Sequence, residues 1–65
     1  MNHLLDNDTL YSLTELAQLL HVSRATLGRA IQKRKLKAIR IERQWRVFGR
    51  DAIEYLDLET QNALE

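Results

Sequence analysis

The spacing of the apolar residues changes near Lys37, and this change limits the possible folds of the 65-residue chain more than any other feature. Before Lys37, apolar residues recur at intervals of three and four, which is the spacing of amphipathic helices. After it they alternate with polar residues, as in a β-hairpin, until helical spacing returns beyond Gly49. A chain of this length forms one domain with a small core. The sequence therefore predicts a mainly helical α+β domain with three helices and a two-stranded hairpin between helix 2 and helix 3.

Two short helices with a tight connection are predicted from their capping residues. Ser12 and Glu15 have capping-box spacing, so the first helix extends from about Leu13 to Leu20. Ser23 is the N-cap of the second helix, which continues to about Arg34. Two helices joined by so few residues indicate a helix-turn-helix, and the hairpin that follows indicates its wing.

The register of the hairpin is predicted from its apolar residues. If the loop consists of the three residues from Glu42 to Gln44, Ile41 lies opposite Trp45 and Ile39 lies opposite Val47. Four apolar side chains then share one face. This arrangement favours Trp45 as a core residue over the alternative, a stacking platform for single-stranded nucleic acid.

The chain divides into three segments. Residues 1–9 are polar and are expected to be flexible, and residues 10–58 form the domain. The third helix has Asp51 in its first turn, and residues 59–65 form either an extension of that helix toward Leu64 or a tail.

Charge is segregated along the chain. All ten lysines and arginines lie between Arg24 and Arg50, where Glu42 is the one acid, so this segment carries +9. The segments before and after it carry −3 and −5. Such a distribution is typical of a face that binds a polyanion, although a solvated cationic surface would show the same pattern.

Several classes of protein are excluded by what the sequence lacks. There is no cysteine, and His3 and His21 have no neighbouring ligands, so neither a metal site nor a cofactor is expected. His21 instead fits a left-handed turn position. No catalytic constellation is present, and we expect no enzyme activity. No stretch is apolar enough for a signal peptide or a membrane span, so we expect a cytoplasmic protein.

The candidate DNA contacts fall into three groups by position on the predicted elements. Arginine pairs with guanine, glutamine pairs with adenine, and small apolar groups contact thymine methyls. The residues expected in the major groove are Ala25, Thr26, Arg29, Gln32 and Lys33. Those expected at the backbone are Ser23 and Arg24, and those in the wing are Arg40, Arg43 and Arg46. Gly28 either relieves packing or clears space for DNA.

The order of these motifs resembles the excisionase and MerR-like winged-helix family. The resemblance begins with residues 12–27, which include Glu15-Leu16-Ala17 and Val22-Ser23-Arg24. It continues through residues 36–41, 45–47 and 51–56, and covers about residues 10–58. It implies that the second helix lies in the major groove and the wing on the adjacent minor groove, with DNA bending or cooperative assembly in many members. His21 and Glu42 depart from the family pattern, because glycine is usual at both positions. Glu42 would repel phosphate, unless it pairs with a neighbouring arginine.

Three functions fit these features. The first is an excisionase-like architectural factor that binds and bends duplex DNA, with a site-specific recombinase or further copies of itself as partners. The second is a small MerR-like transcriptional regulator without an effector domain. The third, from another class, is a protein-interaction module that docks on an acidic partner. Duplex binding and its salt dependence separate the third from the others.

Overall fold

The computed structural model describes the backbone of residues 5–64 and the side chains of residues 5–60. Within this part of the chain the elements are β1 (Leu10–Ser12), α1 (Leu13–Leu20), α2 (Arg24–Gln32), β2 (Ile39–Ile41), β3 (Gln44–Phe48) and α3 (Gly49–Leu64). The strands form one antiparallel sheet in the order β1-β3-β2, so β3 is central. The predicted fold class, a mainly helical winged helix-turn-helix, is confirmed.

The connection between α1 and α2 has the geometry that its capping residues predict. The Ser12 hydroxyl accepts a hydrogen bond from the Glu15 N–H at 3.1 Å, and the Glu15 carboxylate accepts one from the Ser12 N–H at 3.0 Å. His21 ends α1 in the left-handed conformation, with a φ of 58°. The Ser23 hydroxyl then accepts from the Thr26 N–H at 3.1 Å and begins α2. The predicted start of each helix and the left-handed His21 are confirmed.

The end of α2 comes slightly earlier than predicted. Its last residue is Gln32, and Arg34 beyond it has a φ of 62°. The Lys35 N–H donates to the Ala30 carbonyl at 2.9 Å, which satisfies one of the free carbonyls at the helix end. This left-handed turn directs the chain to Leu36, which is buried.

The hairpin turn differs from the predicted one, and the register of β2 moves by one residue. Glu42 and Arg43 form a two-residue turn with φ values of 50° and 69°. Positive φ at both central residues is typical of a type I′ turn, whose twist matches that of the strands. Arg40, and not Ile41, lies opposite Trp45. The predicted three-residue loop is therefore wrong.

This register places the apolar residues of the hairpin on opposite faces of the sheet. Val47 is fully buried, whereas Ile39 and Ile41 are 41% and 38% exposed. Trp45 is half-buried and lies outside the core cluster. A shift of one residue moves side chains to the other face of a strand. The predictions of a common apolar face and of Trp45 as a core residue are both wrong.

A third strand, which was not predicted, pairs with β3 on the side away from β2. In β1, Tyr11 lies opposite Val47 and Ser12 lies opposite Arg46. The strand has only three residues, and the last of them also caps α1. So short a strand carries no alternating pattern, and it forms because β3 offers a partner.

Residues 5–9 are held against the rest of the domain, although a flexible segment was predicted over residues 1–9. Leu5 is 7% exposed and belongs to the core. The Gly49 N–H donates to the Thr9 carbonyl at 2.9 Å, and a Cβ at Gly49 would overlap the Asp6 carbonyl. For residues 5–9 the prediction is wrong, because an apolar anchor and backbone hydrogen bonds fix them. Residues 1–4 lie outside the described residues.

The core joins all the elements that position α2. Its fully buried large side chains are Leu16 of α1, Leu27 of α2, Leu36 of the following loop and Val47 of β3. Ala52 anchors α3 to the same cluster. The backbone of α3 continues past Leu58 to Leu64, as the predicted extension requires. Because Leu27 faces inward, the opposite face of α2 is directed to solvent.

Candidate nucleic-acid interface

The outward face of α2 exposes the residues that were predicted to contact bases. Ala25, Arg29 and Gln32 are exposed, while Leu27 and Ala30 on the opposite face are buried. One face of the helix is therefore available for the major groove, and its side chains offer a guanidinium, an amide and a methyl group.

Thr26 is held more tightly than its neighbours on this face. Its hydroxyl lies 2.9 Å from the Ser23 hydroxyl and accepts a hydrogen bond from the Arg29 guanidinium at 3.4 Å. The hydroxyl is thus engaged in the N-terminal cap, and the long contact restrains Arg29 only weakly. Lys33 is exposed at the C-terminal end of α2, and its N–H donates to the Arg29 carbonyl.

Gly28 has no packing reason to be a glycine. No heavy atom beyond its own helix backbone and chain neighbours lies within 4 Å of the position that a Cβ would occupy. Of the two alternatives considered for this residue, relief of crowding is not supported. Clearance for a DNA backbone stays a prediction.

Cationic residues from α2 and from the hairpin meet in one groove, which we call the arginine groove. It has a volume of about 630 Å³ and is open to solvent. Its lining residues are Ser12, Leu13, Thr14, Glu15, Arg24, Arg43, Gln44, Trp45 and Arg46. The fold thus brings together the N-terminus of α2 and two of the three predicted wing arginines. Such a site suits a phosphate backbone, because cations and the positive end of a helix dipole face the same space.

The arginine groove also contains a carboxylate, which sequence analysis did not place there. The pKa of Glu15 is lowered from its ordinary value. The largest cause is the hydrogen bond that the Ser12 N–H donates to the carboxylate, and the next is a hydrogen bond with the Ser12 side chain. The positive charge of Arg46 also lowers this pKa. Glu15 therefore stays ionised and offsets part of the positive charge. Its capping-box role could be predicted locally, but its place beside Arg46 depends on tertiary contacts.

The wing arginines have different surroundings. Arg43 lies in the turn itself, and Arg46 donates to the Gln44 side chain at 3.1 Å. The Arg40 guanidinium lies over the Trp45 ring, 5.1 Å from its centroid. Glu42 is exposed beside Arg43.

Glu42 does not pair with a wing arginine in the structure. Within the described side chains the ion pair that forms is between Arg50 and Asp8, at 3.6 Å. The alternative in which Glu42 restrains Arg40 or Arg43 is therefore not supported, and an uncompensated acid lies at the wing tip.

A second groove also has Trp45 in its lining, and we call it the apolar groove. It has a volume of about 580 Å³ and is lined by Ile31, Gln32, Arg34, Leu36, Lys37, Ala38 and Trp45. Trp45 therefore contributes to the lining of both grooves. The predicted hairpin register made Trp45 a core residue and left a nucleic-acid role as the alternative, and that register is wrong.

Within the described residues, no group of three histidine, cysteine or acidic side chains is placed to hold a metal ion. No helix there has the length and the apolar character needed to cross a membrane.

Comparison with known proteins identifies the family. The sequence profile described as a helix-turn-helix domain matches residues 10–58. No curated protein and no solved structure matches the chain. The matched residues contain the capped helix pair, the hairpin and the first part of α3. The chain therefore belongs to the helix-turn-helix domain family, whose members are DNA-binding domains, and this is consistent with the excisionase-like resemblance of its sequence.

Proposed function

We propose that the protein binds duplex DNA sequence-specifically, with α2 in the major groove and the arginine groove on the phosphate backbone. The observation that carries this proposal is the division of α2 between two surfaces. Its outward face exposes Arg29 and Gln32, while Arg24 at its N-terminus lines the groove that also holds Arg43 and Arg46. A helix placed in this way contacts bases along one face and phosphate at one end.

The two surfaces have different chemistry and therefore different expected roles. Arg29 can donate two hydrogen bonds to a guanine edge, and Gln32 can pair with adenine in the same groove. The arginine groove holds three arginines in a concave site, where charge attracts phosphate without regard to sequence. Base preference is thus expected from α2, and overall affinity from the groove.

We further propose an excisionase-like architectural role, in a bacterial, plasmid or phage context, with a site-specific recombinase or further copies of the chain as partners. The protein would act by binding and bending DNA, not by catalysis. The resemblance of residues 10–58 supports this role. A wing beside the recognition helix also supports it, because contact with two adjacent grooves favours a bent duplex.

The salt dependence of duplex binding tests the proposal. If about five cations meet phosphates, log K plotted against log[salt] should have a slope of roughly −4 to −5. A duplex labelled at both ends should also show higher energy transfer when the protein binds, as its ends approach. Absence of duplex binding at about 50 mM salt contradicts the proposal and leaves docking on an acidic protein as the better explanation. Binding with no change in energy transfer contradicts only the bending role.

A further inference from the structure

The strand register places Arg40 directly opposite Trp45, next to the pair of Ile41 and Gln44 that flanks the turn. The guanidinium carbon of Arg40 lies 5.1 Å from the centroid of the indole ring, within the range of a cation–π contact. A core role does not account for this tryptophan, because it is half-buried and outside the core cluster. It lines both the arginine groove and the apolar groove.

Arg40 differs from several other arginines of the chain in its polar contacts. Arg46 donates to Gln44, Arg29 donates to Thr26, and Arg50 pairs with Asp8. Among the described side chains, Arg40 has neither a hydrogen bond nor an ion pair, and its guanidinium lies over the Trp45 ring. Its N–H donors are therefore available to a ligand while its position is restrained.

Stacking and donation use different parts of a guanidinium. The flat face contacts the ring, whereas the five N–H groups point outward in the plane. An arginine on an indole can therefore donate to a phosphate without leaving the ring. Lysine cannot do both in this way, because its ammonium has no flat face.

We infer that Trp45 is a positioning residue for DNA binding, which holds the Arg40 guanidinium in place for a phosphate next to the arginine groove. This inference rests on the proposed duplex binding and adds a role to a residue that sequence analysis placed in the core. A pre-positioned arginine loses less side-chain freedom on binding than a free one. We expect the stacking to improve duplex affinity by about 2- to 10-fold.

A double-mutant cycle on duplex affinity tests the inference. The variants are Trp45→Leu, Arg40→Lys and the two combined, compared with the unchanged chain on one duplex. Each single change should weaken binding, and the double variant should be no weaker than Arg40→Lys alone, within error. Trp45→Phe should restore part of the affinity that Trp45→Leu loses, because a ring face is present again. In contrast, independent losses that multiply in the double variant would overturn the inference.

Another cation–π pair among the described residues provides a matched control. Arg50 lies 4.5 Å from the centroid of the Phe48 ring but already pairs with Asp8. Phe48→Leu should therefore leave duplex affinity unchanged, and an equal loss from Phe48→Leu would contradict a specific role for Trp45. Circular dichroism and thermal unfolding of each variant show whether it is folded.

The salt slope separates a failed inference from a failed function. Arg40→Gln should make the slope less steep by about 1, because one phosphate contact is lost. If the Arg40→Gln variant keeps the same salt slope while the unchanged chain binds duplex DNA normally, the inference alone is overturned. No duplex binding by the unchanged chain overturns the proposed function itself.

Discussion

Ser12 and Glu15 exchange two hydrogen bonds at 3.1 and 3.0 Å, and this exchange fixes a carboxylate inside the arginine groove. The same acid that completes the N-terminal capping box of α1 thus lies beside Arg46, where a DNA phosphate is expected. One side chain serves local helix formation and also lowers the positive charge of the binding surface.

Glu15→Gln should strengthen duplex binding. Glutamine is accepted in a capping box, so α1 should form as before, while the repulsion of phosphate is removed. We expect affinity to rise only about 2- to 5-fold for all sequences, because solvent screens the effect of an exposed charge. Glu54→Gln removes an exposed acid from α3, outside the groove, and serves as the control. Equal gains from both variants would show that net charge, not the position of Glu15, determines affinity.

The lowered pKa of Glu15 also predicts how stability depends on pH. Its ordinary value is 4.5, and the folded chain binds the proton less tightly than the unfolded chain. The ionised carboxylate therefore makes its full contribution to the stability of the fold above pH 4.5. This contribution is lost as the pH falls through the lower folded-state pKa. The melting temperature of the unchanged chain should fall more steeply from about pH 6 to about pH 3 than that of Glu15→Gln. Parallel curves would contradict this role.

Sequence predicted those parts of the fold that depend on neighbouring residues. The caps at Ser12 and Ser23 and the left-handed His21 involve contacts within a few positions, so their side chains indicate the helix boundaries. The outward face of α2 was predicted for the same reason, because helical periodicity relates its exposed side to the buried Leu27.

The hairpin register could not be predicted from the apolar pattern alone. The turn at Glu42 and Arg43 adopts positive φ without the glycine or asparagine that usually indicates it. The central strand β3 also pairs with β1, which lies far away in sequence and shows no strand pattern. The same non-local contacts bring Glu15 into the arginine groove and leave Trp45 outside the core.

The two glycines of the chain should respond oppositely to alanine. Gly28→Ala adds a methyl group in open space within a helix and should stabilise the fold by about 0.5–1 kcal/mol. Gly49→Ala places a methyl group on the Asp6 backbone and should destabilise it by about 1–3 kcal/mol. Thermal or chemical unfolding of both variants measures the difference. Stabilisation by Gly49→Ala would show that residues 5–9 do not contact α3 as described.

The wing tip offers a separate test of charge and conformation. Glu42→Asn removes the acid and introduces a residue that tolerates positive φ, so both stability and duplex affinity should increase. Glu42→Gln removes the same charge without that conformational preference, so affinity alone should increase. If Glu42→Gln leaves affinity unchanged, the wing tip does not approach phosphate.

The central claim is that α2 selects the sequence while the arginine groove supplies affinity. The most direct measurement compares Arg29→Ala with Arg43→Ala on a duplex selected from a random pool, on its single-base variants and on unrelated DNA. Arg29→Ala should reduce discrimination at one or two base pairs, by about 1–3 kcal/mol for a bidentate contact. Arg43→Ala should weaken binding to every duplex by a similar factor and make the salt slope less steep by about 1. Equal losses from both variants on all duplexes would contradict the claim.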